Sequence, residues 1–579
     1  CILNIMGNAM PDGSTINPFT TADQITLANV LDRIDSDESL STQRRRNLCS
    51  ALRGLGKLMN RDLSYLPSHP GFYRSIFKGL HPEHCGLTAG RIRNIKTDVQ
   101  FAFKHTGCIH GTHTYMAPFS PAWQALWDAA ECAGRLRCYA SRLMHYCSAQ
   151  GIPPDAVDGA VADSFLKALV DESFVQDPIH TFKGILCTWN KLVDAVPGWP
   201  GTKLIVPCNK ETYTIPLDRF PKPFQGEVDA LVEHWAGNDI LDEDGPAKPL
   251  KPRTIKSRLY RIRQIVSALV LRGWKIETIT SLATIVEFDA AKTVLRFYLD
   301  RAGGNTTSQV HGLAILIKTL AKHWVKVDEA SLKALKALCA KVDPAVKGMT
   351  EKNKTRLRQL DDPKNVALLL NFPACRVDEI RRSDRGRRRD AVAIQIALAV
   401  ELLLMAPIRA ANLVNINTER HIQRTRSGKD GVIHLVIPGA EVKNEEDLEF
   451  ELPSATVDLL DLYLKDYHPR LVSGPYPWLF PGKKNKPKTR EHFGDQVSRH
   501  VFKATGLRVN LHLFRHIAAK LYLDLNPGGY EVVRRLLGHR SMETTIRFYA
   551  GMEHAAAGRH FDAEILRLRR SLSSGNTGS

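Results

Sequence analysis

Residues 511–551 read LHLFRHIAAKLYLDLNPGGYEVVRRLLGHRSMETTIRFYAG and contain a series of basic and hydroxyl side chains. His512, Arg515 and His516 lie in LHLFRH, His539 ends LLGH, and Tyr549 lies in METTIRFYAG. A guanidinium binds anions, a phenol is a nucleophile, and an imidazole can take up a proton. The order of these groups carries more information than the composition of the chain.

Two further cations precede this stretch, in segments whose patterns predict different secondary structures. Arg409 lies in APIRAANLVNI, directly after the apolar residues 391–405, which predict a buried helix. Lys443 lies in GVIHLVIPGAEVKNEEDLEFELP, where two β-rich runs joined by a short polar turn predict a hairpin. The C-terminal domain is therefore predicted to be mainly α with a small antiparallel sheet.

Over residues of about 390–555, this set resembles the active site of the tyrosine recombinases, the family of phage integrases and Xer-type resolvases. The resemblance implies that Tyr549 is the nucleophile, that the scissile phosphate is surrounded by Arg409, Lys443, His512 and Arg515, and that His539 completes the site. It further implies a site-specific recombinase of a mobile element, of the integrase or transposase type. Such an enzyme cleaves and rejoins duplex DNA through a 3′-phosphotyrosyl intermediate, as a tetramer that passes through Holliday junctions.

The residue types fit this chemistry on physical grounds. Attack on a phosphodiester places negative charge on two non-bridging oxygens, which the guanidiniums of Arg409 and Arg515 can meet with paired N–H donors. A phenol is a poor nucleophile at its ordinary pKa of about 10. It therefore needs a base, and His512 or His539 can take the proton. The departing 5′ oxygen needs a proton, which a lysine on a hairpin can supply, and this favours Lys443.

The sequence departs from the family pattern near the first arginine. Ile408 stands where a small residue is usual and Asn412 where an acidic residue is usual, so we expect a difference in helix packing or arginine orientation. Two rivals to Lys443 lie in the same domain, Lys429 and the basic loop KKNKPKTR at 483–490. His516, one helical turn after His512, is predicted to be structural.

Neither a cofactor nor a metal ion is implied, because the arginines supply the charge that Mg²⁺ supplies in nucleases and the chain has no Gly-rich phosphate loop. His512 and His516 have the spacing of zinc hydrolases, but Leu513 stands where that motif needs Glu. HPEHC at 81–85 and HTGCIHGTH at 105–113 contain zinc-ligand residue types without an orderly repeat. We predict a basic surface or loop there.

The first 340 residues show a loose internal recurrence. Three segments, beginning near residues 41, 131 and 251, each start with a basic helix and continue through a polar turn, a second helix and a closing helix. This pattern predicts a four-helix module used three times. Three unrelated helical bundles are the alternative.

The predicted fold class is mainly α and multidomain, with tandem four-helix, SAM-like DNA-binding modules followed by an α+β tyrosine-recombinase catalytic domain. The predicted organisation is a flexible tail at 1–21, a DNA-binding module at 22–115, a second helical module at 118–220, a core-binding domain at 221–345 and a catalytic domain with a C-terminal helix at 346–579. The first two modules are expected to bind extra DNA sites or to mediate subunit contacts.

The 579-residue chain has 80 Lys and Arg against 61 Asp and Glu, a net charge of +19 that argues for a polyanionic partner such as nucleic acid. A hydrophobic content of 43% excludes a mostly disordered protein. Irregularly spaced cysteines fit a reducing cytosol better than a disulfide framework. No transmembrane helix is predicted, and we expect a bacterial, cytoplasmic, nucleoid-associated protein.

The expected partner is double-stranded DNA, bound by a homotetramer, with accessory DNA-bending proteins left open. The basic runs 44–46, 381–389 and 483–488 are predicted to contact the DNA backbone. The amphipathic residues 563–572 predict a final helix that docks on a neighbouring subunit or on its own domain. Two other functions stay open, a type IB topoisomerase-like enzyme that relaxes DNA and a non-catalytic DNA-binding or architectural protein.

Overall fold

The computed structural model describes residues 25–109, 117–207, 213–237, 249–344, 348–425, 432–549 and 554–574. Within these ranges the fold is mainly α-helical with one three-stranded antiparallel sheet, as predicted. The predicted tail at 1–21 and the rival lysine Lys429 lie outside the described residues, as do His110 and His113. The described cysteines are free thiols. No described helix is long and apolar enough to cross a membrane.

The contacts within the chain divide it into two compact units. One combines Cys1–Pro207 with Met349–Ser579, and the other is Cys208–Gly348. Buried apolar side chains form four cores, which draw mainly on residues 27–109, 123–206, 220–342 and 349–549. The threefold repeat of one module stays a prediction.

The first two cores are built from helices α1 (Leu27–Asp35), α2 (Thr42–Met59), α3 (Pro70–Gly79), α4 (Pro82–Cys85), α5 (Ala89–His105), α6 (Pro121–Ala129), α7 (Arg135–Ala149), α8 (Gly159–Glu172) and α9 (Pro178–Ala195). Arg74 on α3 joins these cores. Its guanidinium donates to the carbonyl of Ser173 through Nε at 3.2 Å and Nη2 at 2.8 Å, and to that of Leu169 at 3.0 Å. These carbonyls end α8, where the helix dipole favours a cation.

The second unit contains helices α10 (Lys222–Ala236), α11 (Pro252–Leu271), α12 (Leu282–Val286), α13 (Phe288–Arg301), α14 (Ser308–His323) and α15 (Glu329–Lys341). Glu227 on α10 accepts a hydrogen bond from the backbone N–H of Leu282 at 2.7 Å and another from the indole of Trp324 at 2.8 Å. One carboxylate thereby links the start of α12 and the end of α14 to α10. Hydrogen bonds to a charged acceptor are stronger than those between neutral groups.

The last core is built around the helices α16 (Glu351–Arg358), α17 (Pro363–Leu370), α18 (Phe372–Ser383), α19 (Arg388–Met405), α20 (Ala410–Val414), α21 (Ser454–Leu462), α22 (Arg490–Thr505), α23 (Leu513–Leu525), α24 (Tyr530–Leu537) and α25 (Met542–Tyr549), and the chain continues in α26 (His554–Ser574). The predicted buried helix is α19, which packs on most of its sides. Gln395 is buried within it and donates to the hydroxyl of Tyr463 at 2.8 Å, so its polar group is satisfied.

The sheet has the order β1 (Ile422–Arg424), β2 (Ile433–Ile437), β3 (Leu448–Glu451), and both strand pairs are antiparallel. Alternate residues of β2 are buried, which is the period-two pattern of a strand with one face on the core. The predicted hairpin is β2 and β3. The sequence pattern does not predict β1, a strand of only three residues with little apolar character.

The histidines of HPEHC connect the first core to the last within one compact unit. Nε2 of His81 lies 3.1 Å from the carbonyl oxygen of Lys503, and the His81 ring is 5.9 Å from that of Phe502. Lys364 donates to the carbonyl of Glu83 at 2.9 Å. Gly506 ends α22 in the left-handed conformation, with φ +76°, directly beside the imidazoles of His81 and His84. This segment therefore serves as a docking contact.

Gly506→Ala tests this contact. The new Cβ would overlap the His84 ring and lie 2.8 Å from Cγ of His81. We expect a loss of stability beyond the roughly 1–2 kcal/mol of left-handed strain, together with faster amide hydrogen exchange across residues 80–90, measured by mass spectrometry.

The matched control is Gly386→Ala. Gly386 has nearly the same φ, +68°, but an added Cβ would meet nothing within 4 Å. The Gly386→Ala variant should lose only the stability that the left-handed backbone strain costs. Its amide hydrogen exchange at residues 80–90 should be unchanged. Equal exchange in both variants would contradict the docking contact.

Candidate active site

Arg515 lies at the centre of the predicted site and is only 3% exposed. It is in the first turn of α23, where Asn510 accepts the backbone N–H of Leu513 through its side chain at 2.9 Å. One Nη group donates to the carbonyl of Pro407 at 2.7 Å and the other to that of Leu537 at 2.6 Å. Burial and the nearby Arg409 lower its pKa to about 10. A guanidinium has five N–H donors, so it retains others for an anion.

Arg409 lies at the residue before α20, in an extended conformation with φ −70° and ψ 147°. Its Nη1 is buried and has no hydrogen-bond partner among the described residues. Burial lowers the pKa of this guanidinium. A buried, unpaired charged donor is costly, so this position favours binding of an anion that would complete its hydrogen bonds.

Two of the predicted histidines lie close to these arginines. Desolvation lowers the pKa of His512, and Arg515 and Arg409 lower it further. Burial, followed by the same two arginines and Arg534, lowers the pKa of His539 to about 4. Both imidazoles are therefore neutral near pH 7. His539 follows the left-handed Gly538, and its Nδ1 lies 3.0 Å from the hydroxyl of Thr545.

Tyr549 is the last residue of α25, and its side chain is 1% exposed. Burial raises its pKa to about 12, although Arg515 acts in the opposite direction. The phenol ring is nearly parallel to the His539 ring, with 6.5 Å between centroids. Its hydroxyl oxygen lies 2.9 Å from Nδ1 of His516. Tyr549 is thus enclosed among the predicted site residues.

His516 is the residue for which the sequence analysis predicted only a structural role. The structure brings it into direct contact with the hydroxyl of Tyr549. A sequence signal existed, because residues four apart share one face of a helix, and His516 therefore faces the same side as His512. Their rings lie 5.2 Å apart in an edge-to-face arrangement.

Lys443 is exposed in the turn that connects β2 to β3. The residue after it, Asn444, contacts the segment that follows α24 at two points. Its side chain donates to the carbonyl of Gly538, and its carbonyl accepts from Nε of Arg540 at 2.9 Å. The turn that carries Lys443 is therefore bound to the two residues that flank His539, Gly538 and Arg540.

Asn412, the departure from the family pattern, also holds this hairpin. Its side-chain amide donates to the carbonyl of Glu441 at 3.1 Å, two residues before Lys443. The carboxylate of Glu441 pairs with Arg420 and lies 3.3 Å from Nε2 of the buried His421. An amide at this position thus connects the helix after Arg409 to the turn that carries Lys443.

The basic runs are not uniformly solvated. Lys488, the last lysine of the loop 483–488, donates to Gln395 and, at 2.9 Å, to Gln496, and lies 4.9 Å from the ring centroid of Phe493. Burial lowers its pKa to about 8. Arg44 in the run 44–46 pairs with Asp98 at 2.7 Å. These two residues therefore have intramolecular partners, and the DNA contacts of the basic runs stay a prediction.

The C-terminal part of the chain is similar to known proteins. Residues 377–555 match the family model described as the phage integrase family. No curated protein matches the chain. The mainly helical domain with its small sheet is a tyrosine-recombinase catalytic domain. The chain is thus similar to this family over residues 377–555.

Solved structures similar to this chain include three recombinases. The XerH site-specific recombinase bound to difH substrate, in a pre-cleavage complex, is 15% identical over 51% of this chain and 76% of that one, with a TM-score of 0.33. A lambda integrase dimer bound to a COC′ core site is 14% identical over 55% and 95%, with a TM-score of 0.33. The Tn1549 transposon integrase in complex with circular intermediate DNA is 15% identical over 58% and 99%, with a TM-score of 0.32.

Arg515→Lys tests the anchoring of the central guanidinium. The single ammonium group of a lysine cannot bind the carbonyls of Pro407 and Leu537 at the same time, because it lacks the forked geometry of a guanidinium. Because one buried carbonyl then loses its partner, we expect the free energy of unfolding of this domain to fall by about 1–3 kcal/mol. Urea denaturation, monitored by hydrogen exchange of the C-terminal peptides, measures this loss of stability. Arg508→Lys, at an exposed position of the same domain, is the control, and an equal effect of both variants would contradict the anchoring role.

Proposed function

We propose that this protein is a site-specific DNA recombinase of a mobile element, which breaks and rejoins duplex DNA through a covalent bond to Tyr549. The observation that carries the proposal is the unpartnered, buried Nη1 of Arg409 close to the anchored Arg515. These two cations form a site for one anion, and the phenol of Tyr549 lies in the field of Arg515. A nucleophile beside an oxyanion site is the arrangement that transesterification of a phosphodiester needs.

In the proposed reaction, Tyr549 gives its phenolic proton to an imidazole of the site, and its oxygen attacks the scissile phosphorus. Arg409 and Arg515 bind the non-bridging oxygens as their negative charge increases. The bond from phosphorus to the 5′ oxygen breaks, Lys443 donates a proton to that oxygen, and a 3′-phosphotyrosyl bond stores the energy for rejoining. His512 and His539, both neutral, serve as hydrogen-bonding groups around the phosphate.

The two arginines compensate the charge of the phosphate, so we propose that strand cleavage requires no metal ion and no nucleotide cofactor. The proposed partner is double-stranded DNA, which the net charge of +19 supports. A homotetramer acting through Holliday junctions is also part of the proposal, and the match of residues 377–555 to the phage integrase family supports it. One solved relative is a lambda integrase tetramer bound to a Holliday junction.

We further propose that the N-terminal modules bind DNA sites outside the crossover region. A groove of about 720 Å³ beside the first core supports this proposal. Arg53, Lys57 and Arg91 line this groove, and no carboxylate does. Such a surface suits a phosphate backbone.

Tyr549→Phe tests the nucleophile. The purified protein is mixed, in the presence of EDTA, with nicked suicide duplexes that carry the ends of its element, and the denaturant-stable protein–DNA adduct is quantified. The wild-type protein should form an adduct that mass spectrometry maps to Tyr549, and the variant should form none while it binds the DNA equally well. Tight binding without any adduct would favour a DNA-binding protein, and relaxation of supercoiled DNA of arbitrary sequence would favour a topoisomerase.

Lys443→Ala tests the proposed acid. Loss of proton donation to the 5′ oxygen should slow cleavage by about 10²–10⁴-fold. A duplex with sulfur in place of the 5′ bridging oxygen should restore most of the rate, because a thiolate leaves without a proton. Lys483→Ala, in the rival basic loop, is the control: any loss of cleavage through a weaker DNA backbone contact should be the same for both substrates, with no restoration by sulfur. If the sulfur-containing duplex does not restore the cleavage rate of Lys443→Ala, Lys443 is not the acid that protonates the 5′ oxygen.

A further inference from the structure

The hydroxyl of Tyr549 has one hydrogen-bonding partner among the described residues, and this partner is neither His512 nor His539. Nδ1 of His516 lies 2.9 Å from the hydroxyl oxygen. Tyr549 is 1% exposed and His516 is 6% exposed, so water scarcely competes for this bond. The Nδ1 atom of His539 is instead directed to Thr545 at 3.0 Å.

Packing from two helices fixes the pair. His516 is one residue after Arg515 on α23, and its ring is held by edge-to-face contact with His512. On the side of α25, the ring of Phe548 stacks on His516 with 6.2 Å between centroids, and that of Tyr549 lies at 5.6 Å. The imidazole is therefore positioned by the same helix that carries the proposed phosphate-binding arginine.

We propose that His516, rather than His512 or His539, accepts the proton of Tyr549 when the phenol attacks DNA. This inference rests on the proposed function. The hydroxyl hydrogen passes to Nδ1 of His516 while the phenolic oxygen bonds to phosphorus. The bond from phosphorus to the 5′ oxygen breaks, and that oxygen takes a proton from Lys443. His516 ends as an imidazolium and Lys443 as a neutral amine, so protons and charge balance. This step requires the resting imidazole to carry its hydrogen on Nε2, so that Nδ1 is the acceptor.

The surroundings of His516 connect this proton transfer to DNA binding. The titratable and charged groups that face it are His512 and Arg515 from α23, His539 from the segment after α24, and Tyr549 from α25. Burial and the first three lower the pKa of His516 to about 4, while burial raises that of Tyr549 to about 12. In the absence of DNA the proton therefore stays on the phenol.

A bound phosphodiester changes this balance. Its negative charge, held by the arginines, offsets the effect of Arg515 on the imidazole and raises the proton affinity of His516. Lys520, one turn further along α23, is paired with Asp361 at 2.8 Å and Asp524 at 2.9 Å, so its charge is largely compensated. The nucleophile is thus activated by the substrate that it attacks.

Two variants separate proton transfer from positioning. His516→Asn offers a side-chain oxygen near the position of Nδ1 but cannot take a proton, and His516→Leu offers neither function. Single-turnover cleavage of the nicked suicide duplex is measured from about pH 5 to about pH 10. The wild-type rate should rise tenfold per pH unit and level off above the pKa of His516 in the complex. Both variants should be slower by about 10²–10⁴-fold near neutral pH. Their rates should keep rising with pH, because only phenolate already formed can react.

His500→Asn is the matched control. Burial and neighbouring cations also lower the pKa of His500 to about 4, but this residue lies on α22, outside the site. DNA affinity and Tm of each variant check that it folds. A fluorinated tyrosine at position 549, whose phenol ionises more readily, should restore much of the rate of His516→Asn.

The outcomes distinguish this inference from the proposed function. If His516→Asn cleaves at the wild-type rate with the wild-type pH profile, the role of His516 is disproved and the proposed function stands. A wild-type rate that rises without levelling to about pH 10 contradicts the role of His516 whether or not the variants fold. If the wild-type protein forms no adduct at Tyr549, the proposed function itself fails.

Discussion

The buried guanidinium of Arg515 is the constraint on which the C-terminal domain depends. Its two Nη groups bind the carbonyls of Pro407 and Leu537, which lie 108 and 22 residues away along the chain. One carbonyl precedes Arg409 and the other precedes His539. A single side chain thereby brings together the segments that carry most of the predicted site. Such a charge is tolerated in the interior because its hydrogen bonds are made.

The same charge determines the protonation of its neighbours. Arg515 lowers the pKa of His512, His516 and His539, in each case in addition to desolvation. The resting site therefore contains neutral imidazoles, a protonated phenol and two arginines, one of which has a buried donor without a partner among the described residues. An anion is the ligand that satisfies this arrangement, because it supplies acceptors to the guanidiniums and offsets their mutual repulsion.

The sequence indicated more of the site than of its supporting contacts. The order of Arg409, Lys443, LHLFRH, LLGH and Tyr549 was enough to indicate the family. Buried helix α19 and the hairpin of β2 and β3 followed from apolar length and alternation. By contrast, the intramolecular role of Lys488 was hidden within a run of basic residues. The docking of His81 on the end of α22 joins residues 422 positions apart, and no local pattern encodes such a contact.

The sequence by itself determined the chemistry of the groups in the C-terminal domain and its mainly helical class, and it predicted a polyanionic partner, because residue types, periodicity and net charge are local or additive properties. Only the tertiary structure decided which groups touch. His512, His516 and His539 are equivalent as residue types, yet the packing of α25 on α23 directs the phenol hydroxyl to His516 alone. Likewise, Asn412 and Asn444 hold the lysine turn through backbone carbonyls. A carbonyl is present at every residue, so only the fold determines which of them a side chain meets.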